Sequence, residues 1–325
     1  MKFIITIDTE EDNWGRFADS KLTTENIERI PYLQDIFDEL SVIPTYLVTY
    51  PVATDKTSIK ILRKILHGGR CELGTHCHPW NTPPFEEEEN AKNSMLCNLP
   101  AKLQLTKLKN LHTVIKDNFG ITPIIFRAGR WAFNEVVLGN LYHLGYRIDT
   151  SVTPFVDWSQ SHGPDYTKFG CEPFFCSPGD SINKDPNAQI LELPTTIGFI
   201  PRSKIFTRFV NKLISRYNNQ TEWKRFLTRI KLTEIIWLSP EESDSTRVTD
   251  LIENSITNGL KIFNMVFHST SLLHGLTPFV KHKHEEEMFL GKIRKILLFM
   301  KDNGILSINP SDIIEDYLEA PALTL

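Results

Sequence analysis

Lys2-Phe3-Ile4-Ile5-Thr6-Ile7-Asp8-Thr9-Glu10 opens the chain with a short apolar run that stops at acids. Five residues of mixed β-branched and aromatic character, bounded by charge, fit a buried β-strand. The run is too short for a secretory leader and meets acidic residues at once. The expectation is a mature chain that starts at Met1 and stays in the cytoplasm. Cys71, Cys77, Cys97, Cys171 and Cys176 agree with that compartment. They are odd in number, lack zinc-ribbon spacing and read as free thiols; Cys171 and Cys176 would pair only if the protein were exported.

Outward from the first strand, short apolar runs alternate with longer stretches of helical period. Residues 27–40 place Ile30, Leu33, Ile36, Phe37 and Leu40 on one helix face. Residues 58–66 stop at Gly68-Gly69, residues 102–119 at Gly120, residues 134–144 at Gly145 and residues 285–302 at Gly304. Strands are expected at 45–48, 72–78, 124–127, 147–151, 190–193, 261–267 and 305–308. Strand–helix repetition predicts a parallel sheet with helices outside. Seven or eight such strands close naturally into a single distorted (β/α) barrel. The alternative, an open doubly wound sheet, lacks its glycine-rich phosphate fingerprint here. One domain over 1–325 is expected. It carries a loop insertion at 155–187, rich in Pro, Gly, Ser and aromatics, and a basic helical insertion at 201–231.

In barrels of this kind the C-terminal strand ends carry the chemistry. Here the first strand ends at Asp8 and Glu10, the third at His76 and His78, and later ones at Arg127, at Asp149 and at His268. Residues two apart on a strand share a face, so Asp8 pairs with Glu10 and His76 with His78. Two imidazoles and a carboxylate form a donor set for zinc or a related divalent ion, with room left for water. A lone histidine at a strand end is more often a satisfied polar residue; the His-x-His beside an acidic strand shifts the balance to metal. His282 and His284 share the spacing but sit in Lys-His-Lys-His-Glu-Glu-Glu, a solvated helix start. Trp80, Trp131 and Trp158 follow the motif residues and can wall a sugar site, with core packing as the rival reading.

Bulk properties narrow the classes. No apolar stretch approaches the roughly 20 residues of a membrane span. The net charge of −4 argues neither for nor against nucleic acid, and no nucleic-acid partner is expected. Charge is uneven: residues 201–231 hold nine basic residues and one acidic, a net +8 that leaves −12 elsewhere. That segment is a solvated helix pair, or it attracts an anionic nucleotide-linked or lipid-linked substrate at a membrane surface.

The order of motifs resembles the polysaccharide deacetylase (NodB-homology) family over residues 5–314. Ile7-Asp8-Thr9-Glu10 resembles its acidic motif. Glu72-Leu73-Gly74-Thr75-His76-Cys77-His78-Pro79-Trp80 resembles the histidine motif and Phe126-Arg127-Ala128-Gly129-Arg130-Trp131 the arginine motif. Asp149-Thr150-Ser151-Val152 resembles the fourth motif and Val266-Phe267-His268 the last. The usual adjacent aspartates are replaced by Asp-x-Glu, and histidines usually four apart are two apart, as in a variant branch associated with surface polysaccharides. The resemblance implies a metal-dependent hydrolase that removes N-acetyl groups from an amino sugar or a surface-polysaccharide precursor. In that scheme Asp8 is the base, and Glu10, His76 and His78 hold the metal: zinc, or manganese, cobalt, nickel or iron. Arg127 holds Asp8, His268 is the acid, and Asp149 orients His268. The alternatives are a hydrolase of non-sugar amides or cyclic imides and a non-catalytic carbohydrate-binding homologue.

Overall fold

The structure is a computed structural model that describes residues 1–15, 22–177, 190–201 and 232–319. The basic insertion expected at 201–231 lies outside these residues apart from Pro201, and so does the 178–187 part of the expected loop insertion.

The opening run forms β1 (Lys2–Thr9), buried from Phe3 onward. It lies one strand in from the end of a nine-stranded sheet. On one side β10 (Ile262–His268) runs parallel to it for seven residues, from Lys2↔Ile262 to Asp8↔His268. On the other side β11 (Leu306–Ser307) pairs with Lys2 and Phe3, and β2 (Thr45–Val48) with Thr6–Thr9. The parallel order continues through β3 (Glu72–Cys77), β4 (Ile125–Ala128), β5 (Ile148–Asp149) and β7 (Ile190–Glu192). β6 (Phe174–Cys176) adds an antiparallel edge to β7. The expected strands at 190–193, 261–267 and 305–308 are all present, and the sheet is the curled, mostly parallel one of a distorted (β/α) barrel. Between β7 and β10 the described wall has no continuous ladder and is joined by single backbone bonds and by side chains such as Asn264. Thr196 N donates to Asn264 O (3.1 Å), Leu238 N to Thr196 O (2.8 Å) and Val266 N to Leu238 O (3.0 Å).

Alternation along the strands sorts side chains onto two faces. Phe3, Ile5 and Ile7 face outward and pack with the helices, in one core with Phe126, Phe263, Met265 and Phe267. Helix α1 (Ile30–Leu40) contributes Leu33, Phe37 and Leu40 to that core, and α4 (Ala101–Phe119) contributes Leu108, Leu111 and Ile115. Asp55 caps α3 (Lys56–His67), accepting from Ser58 N at 2.7 Å, a cap worth about 1 kcal/mol. Further helices are α2 (Tyr50–Thr54), α5 (Glu135–His143), α6 (Ser245–Thr257) and α7 (Lys283–Asp302).

The opposite face lines the barrel in layers. The floor is apolar: Ile4, Leu47, Ile125, Ile148, Leu191 and Ile262, closed from below by Ile313 and Ile314 of α8 (Pro310–Glu319). Gly74 belongs to this layer, where a Cβ would strike Leu47 and the Ile125 carbonyl. Above the floor is a polar girdle. Thr6 donates to Asn264 Oδ1 (2.8 Å), and Asn264 Nδ2 donates to Thr150 Oγ1 (2.8 Å) and Leu193 O (3.0 Å). Asp8, His76 and His268 occupy the layer above that, at the C-terminal ends of their strands.

The antiparallel ribbon of β8 (Ile197–Pro201) and β9 (Thr233–Trp237) and the helices α6 and α8 were not anticipated. No helix among the described residues is long and apolar enough to cross a membrane. None of the five cysteines, all among the described residues, is in a disulfide.

Candidate active site

Arg127 lies wholly buried beneath the strand ends. Its guanidinium donates to Asp8 Oδ1 at 2.6 Å, to Thr150 O at 3.0 Å, to Thr150 Oγ1 at 3.1 Å and to Thr6 Oγ1. Burial alone would raise the Asp8 pKa. Arg127, then His76 and His268, outweigh it and hold the pKa at about 2. Asp8 is therefore a fixed carboxylate with one oxygen tied and the other, Oδ2, facing His76 Nε2 (3.8 Å) and His268 Nε2 (3.7 Å).

Glu10 is in the opposite situation. It is buried, faces no arginine or lysine among the described residues, and burial raises its pKa to about 7. Its Oε2 lies 3.1 Å from His78 Nε2 and 3.8 Å from His76 Nε2. Its Oε1 finds no hydrogen-bond partner among the described residues. Burial lowers the pKa of each of His76 and His78 to about 4, so both rings are neutral at pH 7. His76 Nδ1 faces the Arg127 carbonyl at 3.2 Å, which favours a protonated Nδ1 and leaves Nε2 as a lone-pair donor. One donor atom from each of Glu10, His76 and His78 falls within 4.8 Å of the others, so the buried triad can hold a metal ion. An unpartnered buried carboxylate oxygen beside two neutral imidazoles is the polarity a divalent cation satisfies.

The loop after β3 is held from outside. Lys107 of α4 is buried and donates to the carbonyls of Pro79 (3.0 Å), Thr82 (2.8 Å) and Pro84 (2.6 Å). Asn81 donates to both oxygens of Glu11 (2.9 and 3.0 Å). Trp80 packs against the His78 ring with centroids 4.0 Å apart. Gly129 allows that ring its place, since a Cβ there would overlap His78 Nδ1.

His268 ends β10, and its orienting carboxylate is Glu241, not Asp149. Glu241 Oε2 lies 3.0 Å from His268 Nδ1, and Glu241 also accepts from His268 N (3.1 Å) and Ser271 Oγ (2.6 Å). Burial alone would lower the His268 pKa; Glu241 reverses that and carries it to about 10. The reason for the correction is strand parity. Ile148 and Thr150 point into the barrel, so Asp149 points out. There Asp149 accepts from Ser151 N (3.1 Å) and Ser151 Oγ (2.8 Å) and lies across the ladder from Glu192. Sequence reading missed Glu241 because it follows β9, an antiparallel ribbon strand outside the barrel rhythm; Leu238-Ser239-Pro240-Glu241 offered only a turn.

These groups open into one cleft of about 340 Å³. Trp80, Trp131 and Trp158 line it as expected, and Trp14 and Trp237 join them. His282 and His284 stand apart at the exposed start of α7, where Glu285 accepts from His282 N at 2.9 Å.

No family model and no curated protein sequence matches the chain. Solved structures do. A protein assigned as a polysaccharide deacetylase from Mycobacterium smegmatis superposes with a TM-score of 0.55 at 15% identity, covering 97% of this chain and 89% of that one. The chain has a polysaccharide-deacetylase fold. The same barrel is shared with a GH57 branching enzyme from Thermococcus kodakaraensis (TM-score 0.52, 12% identity, 97% of this chain and 71% of that one). It is shared too with a 4-alpha-glucanotransferase from Thermococcus litoralis (TM-score 0.52, 14% identity), of which the chain spans 40%. One fold thus carries several chemistries, and function must be read from the site.

Proposed function

We propose that the chain is a metal-dependent hydrolase that removes N-acetyl groups from an amino sugar or a surface-polysaccharide precursor. One observation carries this reading: a single tryptophan-walled cleft holds two carboxylates in opposite electrostatic states. Asp8 is ion-paired to Arg127, whereas Glu10 is paired with no arginine or lysine among the described residues and keeps one oxygen unpartnered among them. That division supports Asp8 as base and Glu10, with His76 and His78, as metal ligands. Zinc suits one oxygen and two nitrogens best, with manganese, cobalt, nickel or iron as competitors. A divalent ion in this triad supplies Lewis acidity, polarising a carbonyl and making water more acidic.

The residues do the rest. Asp8, ionised and oriented by Arg127, accepts the proton of the attacking water at Oδ2. His268, kept as imidazolium by Glu241, stands 3.7 Å from that oxygen and protonates the departing amine. Glu241 is a positioning residue for His268. The tryptophan faces bind the apolar faces of a sugar ring and exclude water around the amide.

The test is acetate release by zinc-loaded protein from N-acetylated sugars offered free, nucleotide-linked and oligomeric, beside His76→Ala. Release by the wild type that the variant loses supports the reading. Metal binding without acetate release from any sugar moves the reading to a non-sugar amide or cyclic imide. Neither metal nor release leaves a carbohydrate-binding protein.

A further inference from the structure

Arg130 has no part in the chemistry above, yet it lines the same cleft. It is half-buried, and the only hydrogen bond of its guanidinium among the described residues goes to Ser94 Oγ. No described carboxylate lies within ion-pair distance of it. Comparable arginines differ: Arg127 faces Asp8, Arg70 faces Asp38, and Arg247 faces Glu234 and Asp250. A partly desolvated cation without a counter-charge is unfavourable in the free protein and favourable once an anion arrives.

The backbone is shaped to present it. Arg130 (φ 54°) and Trp131 (φ 60°) are consecutive left-handed residues, a conformation that costs any residue with a Cβ. Gly129 fixes the start of this turn against the His78 ring. The turn is locked by Tyr166, whose hydroxyl donates to Trp131 O at 2.7 Å, and by the Arg127 guanidinium 5.1 Å from the Trp131 ring. The strain sets a guanidinium and an indole side by side on the cleft wall.

Both signs of charge line the cleft. Glu241 bonds His268 and Glu242 follows it in the lining, whereas Arg130 follows Gly129, which abuts the His78 ring. We propose that Arg130 binds an anionic group of the substrate, a carboxylate or a phosphate, on the His78 side of the cleft. This rests on the amino-sugar reading and narrows it to acidic or phosphorylated amino sugars. A planar guanidinium fork suits both anions bidentately.

Five cleft tryptophans provide the readout. Intrinsic fluorescence is titrated with neutral N-acetylglucosamine, N-acetylglucosamine 1-phosphate, an N-acetylated aminouronate, glucuronate and inorganic phosphate, for wild type, Arg130→Gln and Arg130→Lys. The expected result is about tenfold or greater preference for an anionic sugar over the neutral one. That ratio collapses toward one in Arg130→Gln and is partly kept in Arg130→Lys, which also shows that a folded cleft survives substitution. The phosphate and the uronate arms tell which anion is the natural one. Equal affinity for neutral and anionic sugars, equal weakening of both by Arg130→Gln, or no response to any ligand overturns the proposal. Arg130-dependent binding of the simple anions without binding of any sugar keeps the anion site and removes the amino-sugar reading instead.

Discussion

Removing the Arg127 guanidinium leaves the Asp8 carboxylate buried without its cation. Breaking one side of a buried pair costs about 3–5 kcal/mol, and Arg127 also satisfies Thr6 and Thr150. Arg127→Met is expected to lose stability in that range by urea denaturation; a loss below about 1 kcal/mol would show that Asp8 does not depend on it. Glu241 acts on protonation instead. The His268 pKa is raised from 6.5 to about 10, so the stability gained from that pair is complete below pH 6.5 and fades as pH rises through about 10. In Glu241→Gln an NMR titration of His268 in the metal-free protein is expected to return toward 6.5. An unchanged titration would assign the raised pKa to other groups. Residue types and spacing were enough to single out Asp8, Glu10, His76, His78, Arg127 and His268 as one cluster, because period-two alternation places Asp8 with Glu10 and His76 with His78 on one face. Asp149 was misread because Arg147-Ile148-Asp149-Thr150-Ser151 lies in a sheet covered on both faces. Polarity there does not reveal which way a side chain points.

At the scale of elements, the outward face of β5 and β7 holds two carboxyls side by side, Asp149 and Glu192, both fully buried. Burial raises both pKa values, and the neighbouring Asp149 charge raises that of Glu192 further, which favours holding a proton on the pair. Folded-state pKa values above those of the unfolded chain mean that stability declines as pH rises through them. Glu192→Gln removes one titrating group and supplies an amide donor for Asp149, while its carbonyl can still accept from Val152 N, a bond of 3.0 Å in the wild type. The variant is expected to show a smaller fall in Tm between pH 5 and pH 9 than the wild type. An identical fall would place the proton elsewhere. Helices ending at glycines and strands of β-branched residues were legible in the sequence. The β8–β9 ribbon was not, because its two strands are separated by more than thirty residues and no short turn marks the pairing. Helix α6 was legible but overlooked: Asp244 caps it, accepting from Thr246 N at 2.7 Å.

Across the molecule, the barrel stacks an apolar floor, a polar girdle and a charged upper layer, and this order explains how buried charges are tolerated. The girdle of Thr6, Asn264 and Thr150 hydrogen-bonds inward while the apolar layers carry the packing. The barrel itself followed from strand–helix rhythm, whereas its closure by single bonds at Thr196 and Leu238 depends on tertiary geometry that no local pattern encodes. As proposed, Asp8 is a base distinct from the metal-holding triad, in an enzyme that releases acetate from amino sugars. The direct measurement is the acetate-release rate of Asp8→Asn against wild type at equal zinc occupancy. One bound zinc ion in each is expected, with a variant slower by about 10²-fold or more, the usual weight of a general base. A variant that works at the wild-type rate, or one that fails to hold zinc, would contradict the proposal.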